Sequence, residues 1–238
     1  MATLNLLYKT EYRVNDYFTI RIPTVGEVVD NEDDYYGLLT LWTAMPIDMM
    51  VALDDAGIDF STINEWDLFL ILFDVIRSRD SSMLFVDLDF SGFDLAVNEQ
   101  NNEVVLRDEA TGAVIDRSIH DQIASVFRKI NHIEKDRRKP ANDDAKKFML
   151  ERARKKMQRN SRRKIQSQLE QYIVALVNTE QFSYRYDTAR DLTIYQFNES
   201  VQQIVKKIEY DNRMIGVYAG TVSAKDLSQD DFNWLSHK

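Results

Sequence analysis

The residues that could carry chemistry begin with an acidic stretch, Asp87–Asp94, which matches the opening of a calcium loop. Asp87, Asp89 and Ser91 supply oxygen ligands at the first, third and fifth positions, and Gly92 occupies the sixth. The twelfth position is Asn98, where such a loop has a bidentate glutamate, and the flanking residues resemble strands instead of helices. We therefore favour a strand with outward aspartates and a glycine turn over a metal site.

Other catalytic or cofactor-binding patterns are missing from the sequence. His120, His132 and His237 do not have the four-residue spacing of a zinc-binding helix. The chain has no cysteine, which excludes disulfides, thiolate metal sites and cysteine nucleophiles. Its seven glycines form neither a dinucleotide-binding nor a phosphate-binding loop. We expect a protein that is not an enzyme and uses no cofactor.

Charge is divided along the chain. Residues 26–96 contain sixteen acids and two bases, whereas residues 127–164 contain sixteen bases and five acids. The two segments should attract each other, although each could equally be a solvated face. The sequence leaves open whether they pair with each other or with a partner.

The basic segment between 142 and 178 organises the chain. Asn142, Asp143 and Asp144 give a helix start with a cap and favourable negative charge. Apolar residues are sparse before Ser161 and dense after Gln168, so we expect an exposed first half, a docked second half and a break near 160–161. The residues predicted to bind a partner are Phe148, Met149, Arg152, Arg154, Lys155, Lys156, Met157, Arg159, Arg162 and Arg163.

Nucleic-acid binding by residues 146–164 is the alternative. These cations could release counterions from a phosphate backbone. However, they circle the helix, no aromatic residues interleave with them to stack on bases, and the formal net charge of the protein is −9. A protein partner with an acidic or amphipathic surface is at least as well supported.

The remaining patterns predict a mostly helical α+β fold. Residues 11–22 alternate like a β-hairpin, and strands are expected at 83–90, 93–97 and 103–107, which together form a small antiparallel sheet. Helices are expected after Thr24, from residue 30, over 47–56, after a capping box at 62–65, from Asp116 or Ser118, and over 188–210, with an extended piece at 182–186. Composition suggests an acidic α+β domain at 1–136, a linker at 137–144 and a helical domain at 145–238. No run is long and apolar enough to span a membrane.

Two groups of segments resemble tail-region proteins of phages that infect Gram-positive bacteria. The N-terminal group is 20–28, 35–39 and 45–50, and the C-terminal group is 192–201, 215–220 and 234–236. The resemblance implies a tail assembly chaperone or a tail or baseplate component, and it carries over no catalytic residue. It also implies a phage tail protein as partner, for example an elongated helical one, with self-association as a further option. Such a protein would act in the host-cell cytoplasm during assembly or remain in the virion tail.

Overall fold

A computed structural model describes residues 5–99, 101–161 and 167–235. It confirms the predicted α+β class, mostly helical, with an N-terminal hairpin and a small sheet in the first half. The strands are β1 (Glu11–Arg13), β2 (Thr19–Arg21), β3 (Phe93–Val97), β4 (Val104–Asp108) and β5 (Val114–Ile115). The helices are α1 (Val25–Asp30), α2 (Glu32–Thr43), α3 (Met50–Asp55), α4 (Glu65–Arg77), α5 (Arg117–Asn131), α6 (Asp143–Asn160), α7 (Gln168–Val177), α8 (Tyr186–Ala189) and α9 (Ile194–Tyr218). Short 3₁₀ turns follow at Ala224–Asp226 and Gln229–Phe232.

The N-terminal hairpin leads into a junction with the C-terminal half. β1 and β2 pair antiparallel, with Tyr12 opposite Ile20. Thr24 then caps α1, as predicted, and forms an isolated bridge with Thr193. The Ile194 amide donates to the Pro23 carbonyl at 2.8 Å, so the start of α9 is fixed beside the start of α1.

The predicted strand at 83–90 is wrong. This stretch is a series of turns in which the Ser81 carbonyl accepts hydrogen bonds from both the Leu84 and the Phe85 amides. Leu84, Phe85 and Phe90 are buried, whereas Met83, Val86 and Leu88 are half-buried. Phe85 forms a bridge to Ile20, with the Arg21 amide donating to the Leu84 carbonyl at 2.8 Å and the Val86 amide to the Thr19 carbonyl at 3.0 Å. Pairing with β2 is therefore confined to the residues around Phe85, and the rest of the apolar pattern reflects packing on the core.

The predicted strands at 93–97 and 103–107 are present as β3 and β4, which pair antiparallel with Leu95 opposite Leu106. β5 adds a third strand at the other edge of β4. The sequence did not predict β5, since two residues are too short for any period to be visible.

Two predicted helix starts are corrected by their caps. The capping box of α4 is Asn64 with Asp67, instead of Thr62 with Glu65. α9 starts at Ile194, six residues later than predicted, because Thr193 and Gln196 form its capping box. The segment before it is the one-turn helix α8, which begins within the stretch predicted to be extended.

The main core is built around Trp42. Its ring centroid lies 4.7 Å from that of Phe69 and 5.1 Å from that of Phe85. This cluster takes residues from both sides of 137–144, including Leu169 and Phe197. The division into two domains remains a prediction. Among the described residues, no helix is long and apolar enough to cross a membrane.

Candidate partner-binding surface

The long basic segment begins as predicted, with α6 starting at a side-chain cap. The Asn142 carboxamide oxygen accepts a hydrogen bond from the Ala145 amide at 2.8 Å, and Asp143 and Asp144 occupy the first turn. α6 ends at Asn160, close to the break that the sequence suggests. The segment is therefore two helices, α6 and α7, and α7 buries Leu169 and Leu176.

One apolar residue anchors α6 to the body of the protein. Leu150 is the buried residue of this helix, and it packs in a small cluster with Ala44, Leu53, Phe60 and Leu68. The cluster lies beside α3, with which α6 makes its helix–helix contact. The first half of the segment is thus mainly exposed, as expected, but it is docked along one edge.

Ion pairs flank this anchor and join the basic segment to the acidic one. The Arg154 guanidinium lies 2.7 Å from the Asp54 carboxylate and 2.6 Å from that of Asp55. Lys146 lies 2.7 Å from Asp59, and its ammonium is 5.9 Å from the centroid of the Phe60 ring. The two segments of opposite charge therefore do pair with each other.

These contacts shift the pKa values of the charged groups that they join. The hydrogen bond from Lys146, together with those from Ser61, lowers the pKa of Asp59 to about 2. Hydrogen bonds to Asp55 and Asp54 raise the pKa of Arg154 above its usual value. All of these groups are partly solvated, so each pair adds little to stability.

The opposite face of α6 points away from the body. Phe148, Arg152, Lys155 and Arg159 follow one another at intervals of four, three and four residues, which places them on one side of a helix. Phe148 is 65% exposed, although it is the largest apolar side chain of the helix. Lys155 pairs with Glu151 at 2.5 Å, whereas Arg152 and Arg159 make no ion pair within the described part of the chain. We call these four residues the outward face.

The predicted site residues thus divide into several groups. Met149 is half-buried and Lys156 is exposed. Met157 lies seven residues after Leu150, on the docked side, yet it is 58% exposed, so the last turns of α6 extend past the small cluster. Arg162 and Arg163, like Lys164 of the alternative nucleic-acid segment, lie outside the described residues.

Sequence reasoning missed a buried charge cluster next to α6. Glu65 accepts hydrogen bonds from Arg128 and, at 2.7 Å, from the Lys135 ammonium. Arg128 also donates to the Thr43 carbonyl at 2.6 Å and is almost completely buried. Burial raises the pKa of Glu65, but hydrogen bonds from the two cations outweigh it, so the pKa lies below its usual value. The sequence signal for this cluster was Arg128, a cation that lies four residues after the buried Ala124 on the apolar side of α5.

The acidic stretch at 87–94 shows no metal-binding arrangement. The Asp89 carboxylate accepts hydrogen bonds from the Ser91 amide at 2.9 Å and from the Ser91 hydroxyl at 2.7 Å. In residues 5–99, 101–161 and 167–235, no three His, Asp or Glu side chains are grouped so that they could hold a metal ion.

Comparison with known proteins associates the C-terminal part of the chain with phages. Residues 156–238, about a third of the chain, match the family model of the YomV second domain, and YomV is a Bacillus phage-region protein. The matched residues include the whole C-terminal group of resembling segments, and the N-terminal group lies outside them. The match supports a phage-derived protein. No curated protein and no solved structure gives a significant match.

Proposed function

We propose that this protein is a non-enzymatic phage tail assembly or tail and baseplate protein that binds a partner protein through the outward face of α6. The observation that carries the proposal is that one side of α6 is docked on the body of the protein and the opposite side is exposed. Leu150, Lys146 and Arg154 hold α6 against the body, while the outward face presents an exposed phenylalanine among cations. The YomV match supports a phage origin, and the tail role rests on the resemblance at both ends of the chain.

The geometry suggests how a partner is held. An exposed Phe148 gains free energy when an apolar surface covers it, and Arg152 and Arg159 attract carboxylates around that contact. Docking of the opposite side holds α6 in place before binding, which reduces the entropy that association must overcome. The partner surface should therefore be acidic with an apolar centre, as on an amphipathic helix.

Charge reversal on the outward face tests the proposal. Arg152, Lys155 and Arg159 would be changed to Glu together, and the protein would be co-expressed with the proteins encoded by the neighbouring genes. We expect co-purification of the partner to be lost while the melting temperature stays nearly unchanged. Arg154 is left intact, because reversing it would also break the docking of α6.

A matched triple variant controls for net charge. Lys9, Arg185 and Lys225 are exposed and make no ion pair within the described residues, so their replacement by Glu changes the charge equally elsewhere. This control should keep the partner. Loss of the partner in both variants, or in neither, would contradict the proposal.

Nucleic-acid binding is the second candidate function, because the outward face aligns three cations that the sequence alone placed around the helix. It predicts co-purifying DNA or RNA whose binding weakens steeply with salt. It also predicts that replacing Phe148 by Ala leaves nucleic-acid binding unchanged. Binding to a protein partner would instead be lost or weakened by this change.

A further inference from the structure

A cavity of about 490 Å³ lies beside the start of α6 and is distinct from the outward face. It is formed by the loops around α3 and α4, by the start of α5 and by residues 135–140, which connect α5 to α6. Its size is typical of sites that bind small molecules or a few peptide side chains.

The lining of the cavity combines apolar groups, five cations and the three carboxylates of Glu65, Asp121 and Asp136. The apolar part includes Ile47, Phe60, Ile63 and Trp66. The basic part is Arg117, Lys135, Arg137, Arg138 and Lys139. Of these cations, Lys135 is paired with Glu65 and Arg138 with Asp136, whereas the other three make no ion pair within the described residues.

The buried charge cluster adds positive potential at Glu65, which lines the cavity. Two cations, Arg128 and Lys135, share this one carboxylate, so the cluster has a net charge of about +1. The Nε and Nη1 atoms of Arg128 are buried and find no acceptor within the described residues. A low local dielectric strengthens the attraction of this group for an anion. Arg128 itself lies behind the lining, which carries five cations and three carboxylates, so the cavity has a net positive charge in an acidic protein.

The backbone of the connecting segment favours a peptide over a free small anion. Residues 134–139 form no helix or strand. The amides of Lys135, Asp136 and Arg137 donate no hydrogen bond within the described part of the chain. Unpaired amides of this kind are what a bound peptide uses for main-chain hydrogen bonds.

We propose that this cavity binds an acidic peptide segment that lies along residues 134–139 and inserts one large apolar side chain beside Trp66. Carboxylates on either side of that side chain meet Arg117, Arg137 and Lys139 at the rim. The site does not depend on the outward face of α6.

An NMR titration tests this assignment. The probe is the capped peptide acetyl-Glu-Asp-Phe-Asp-Glu-amide, added to the full-length ¹⁵N-labelled protein. We expect shifts confined to the amides of residues 134–139 and to the Trp66 indole. The same peptide with Ala in place of Phe should bind at least about fivefold more weakly, as expected for about 1 kcal/mol of lost apolar contact.

Two double variants make the test specific. Replacing Arg137 and Lys139 by Glu should weaken binding at least about fivefold, since two favourable charge contacts become repulsive. Replacing Arg152 and Arg159 by Glu makes the same charge change on the outward face and should change affinity less than about twofold. If the Arg152 and Arg159 variant loses the co-purifying partner while the Arg137 and Lys139 variant keeps it, the two surfaces bind independently.

Several results would overturn the proposal. If millimolar peptide causes no chemical-shift changes at the amides of residues 134–139, the peptide does not bind in this cavity. Equal weakening in both double variants would show a general charge effect. Phenylacetate binding as tightly as the peptide, with the same shifts, would assign the cavity to a small organic anion instead.

Discussion

Two sets of ion pairs connect the acidic segment with the basic one, and they differ in burial. Glu65 with Arg128 and Lys135 lies inside, where the side chains of Arg128 and Glu65 are 6% and 12% exposed. Asp54, Asp55 and Asp59 with Arg154 and Lys146 lie near the surface, where the Arg154 side chain is 43% exposed. Attraction between opposite charges is common to both, but desolvation makes only the inner set costly to break. The inner set therefore fixes the connection between α5 and α6, and the outer set mainly orients α6.

The largest effect is expected from removing the carboxylate of the inner set. Replacing Glu65 by Ala leaves Arg128 buried without a counter-charge, which should lower the free energy of unfolding by roughly 3–5 kcal/mol. Urea denaturation measures this loss. Replacing Asp55 by Ala is the matched control in the outer set and should cost less than about 1 kcal/mol, since Asp54 still accepts from Arg154. Equal losses would remove the distinction between the two sets.

The pH dependence of stability that His120 causes, next to the inner set, should be nearly as large. Burial lowers the pKa of His120 to about 4, so the folded protein keeps this imidazole neutral where the unfolded chain protonates it. Stability should therefore be lost as the pH falls from about 6.5 to 4, by an amount on the order of 3 kcal/mol. Unfolding measured across this range should show a smaller loss for His120→Phe than for the unchanged protein. An identical pH dependence would contradict the burial of His120.

The apolar anchor of α6 should contribute more than its ion pairs. Replacing Leu150 by Ala removes the buried contact with Leu53 and Phe60 and should cost roughly 2 kcal/mol, the lower end for such changes because the site lies at the edge of the body. Hydrogen exchange would report the effect locally, as faster exchange of α6 amides. The exposed Met157, changed to Ala, serves as a control and should have little effect. If the two changes are equal, Leu150 does not anchor the helix.

The smallest effect is expected for the outer set. Replacing Arg154 by Ala should lower the free energy of unfolding less than replacing Leu150 by Ala does, and the loss should shrink in high salt. Thermal unfolding at low and high salt measures this. A large loss that salt does not change would mean that the outer pairs are as well shielded as the inner ones.

The sequence predicted the elements that have strong local signals. Caps at Thr24, Asp116 and Asn142 mark helix starts because their side chains bond the free amides of the first turn. The break after Asn160 and the hairpin at 11–22 are also visible from composition and alternation. The alternation at 83–90 predicts a strand, whereas the structure has turns with a short pairing to β2 around Phe85, because packing on the core produces most of the apolar pattern.

The site was predictable only in part. Charge counts showed that two segments should attract, but the pairing of Arg154 with Asp54 depends on a contact across about a hundred residues, which no local pattern contains. Arg128 and Glu65 are likewise 63 residues apart in the chain, so no local pattern predicts their pairing. As a result, the sequence places Arg154 among the partner-binding cations, whereas the structure separates it from Arg152, Lys155 and Arg159.

The central claim is that the outward face of α6 binds a protein and not a nucleic acid. The most direct test is light scattering behind size exclusion, with absorbance recorded at the protein and nucleic-acid bands, on the protein co-expressed with its neighbouring gene products, at low and high salt. We predict a discrete complex of protein alone, without nucleic acid, that falls to the mass of the free protein when Arg152, Lys155 and Arg159 are changed to Glu. Co-eluting nucleic acid that high salt removes, or an unchanged complex in the triple variant, would contradict the claim.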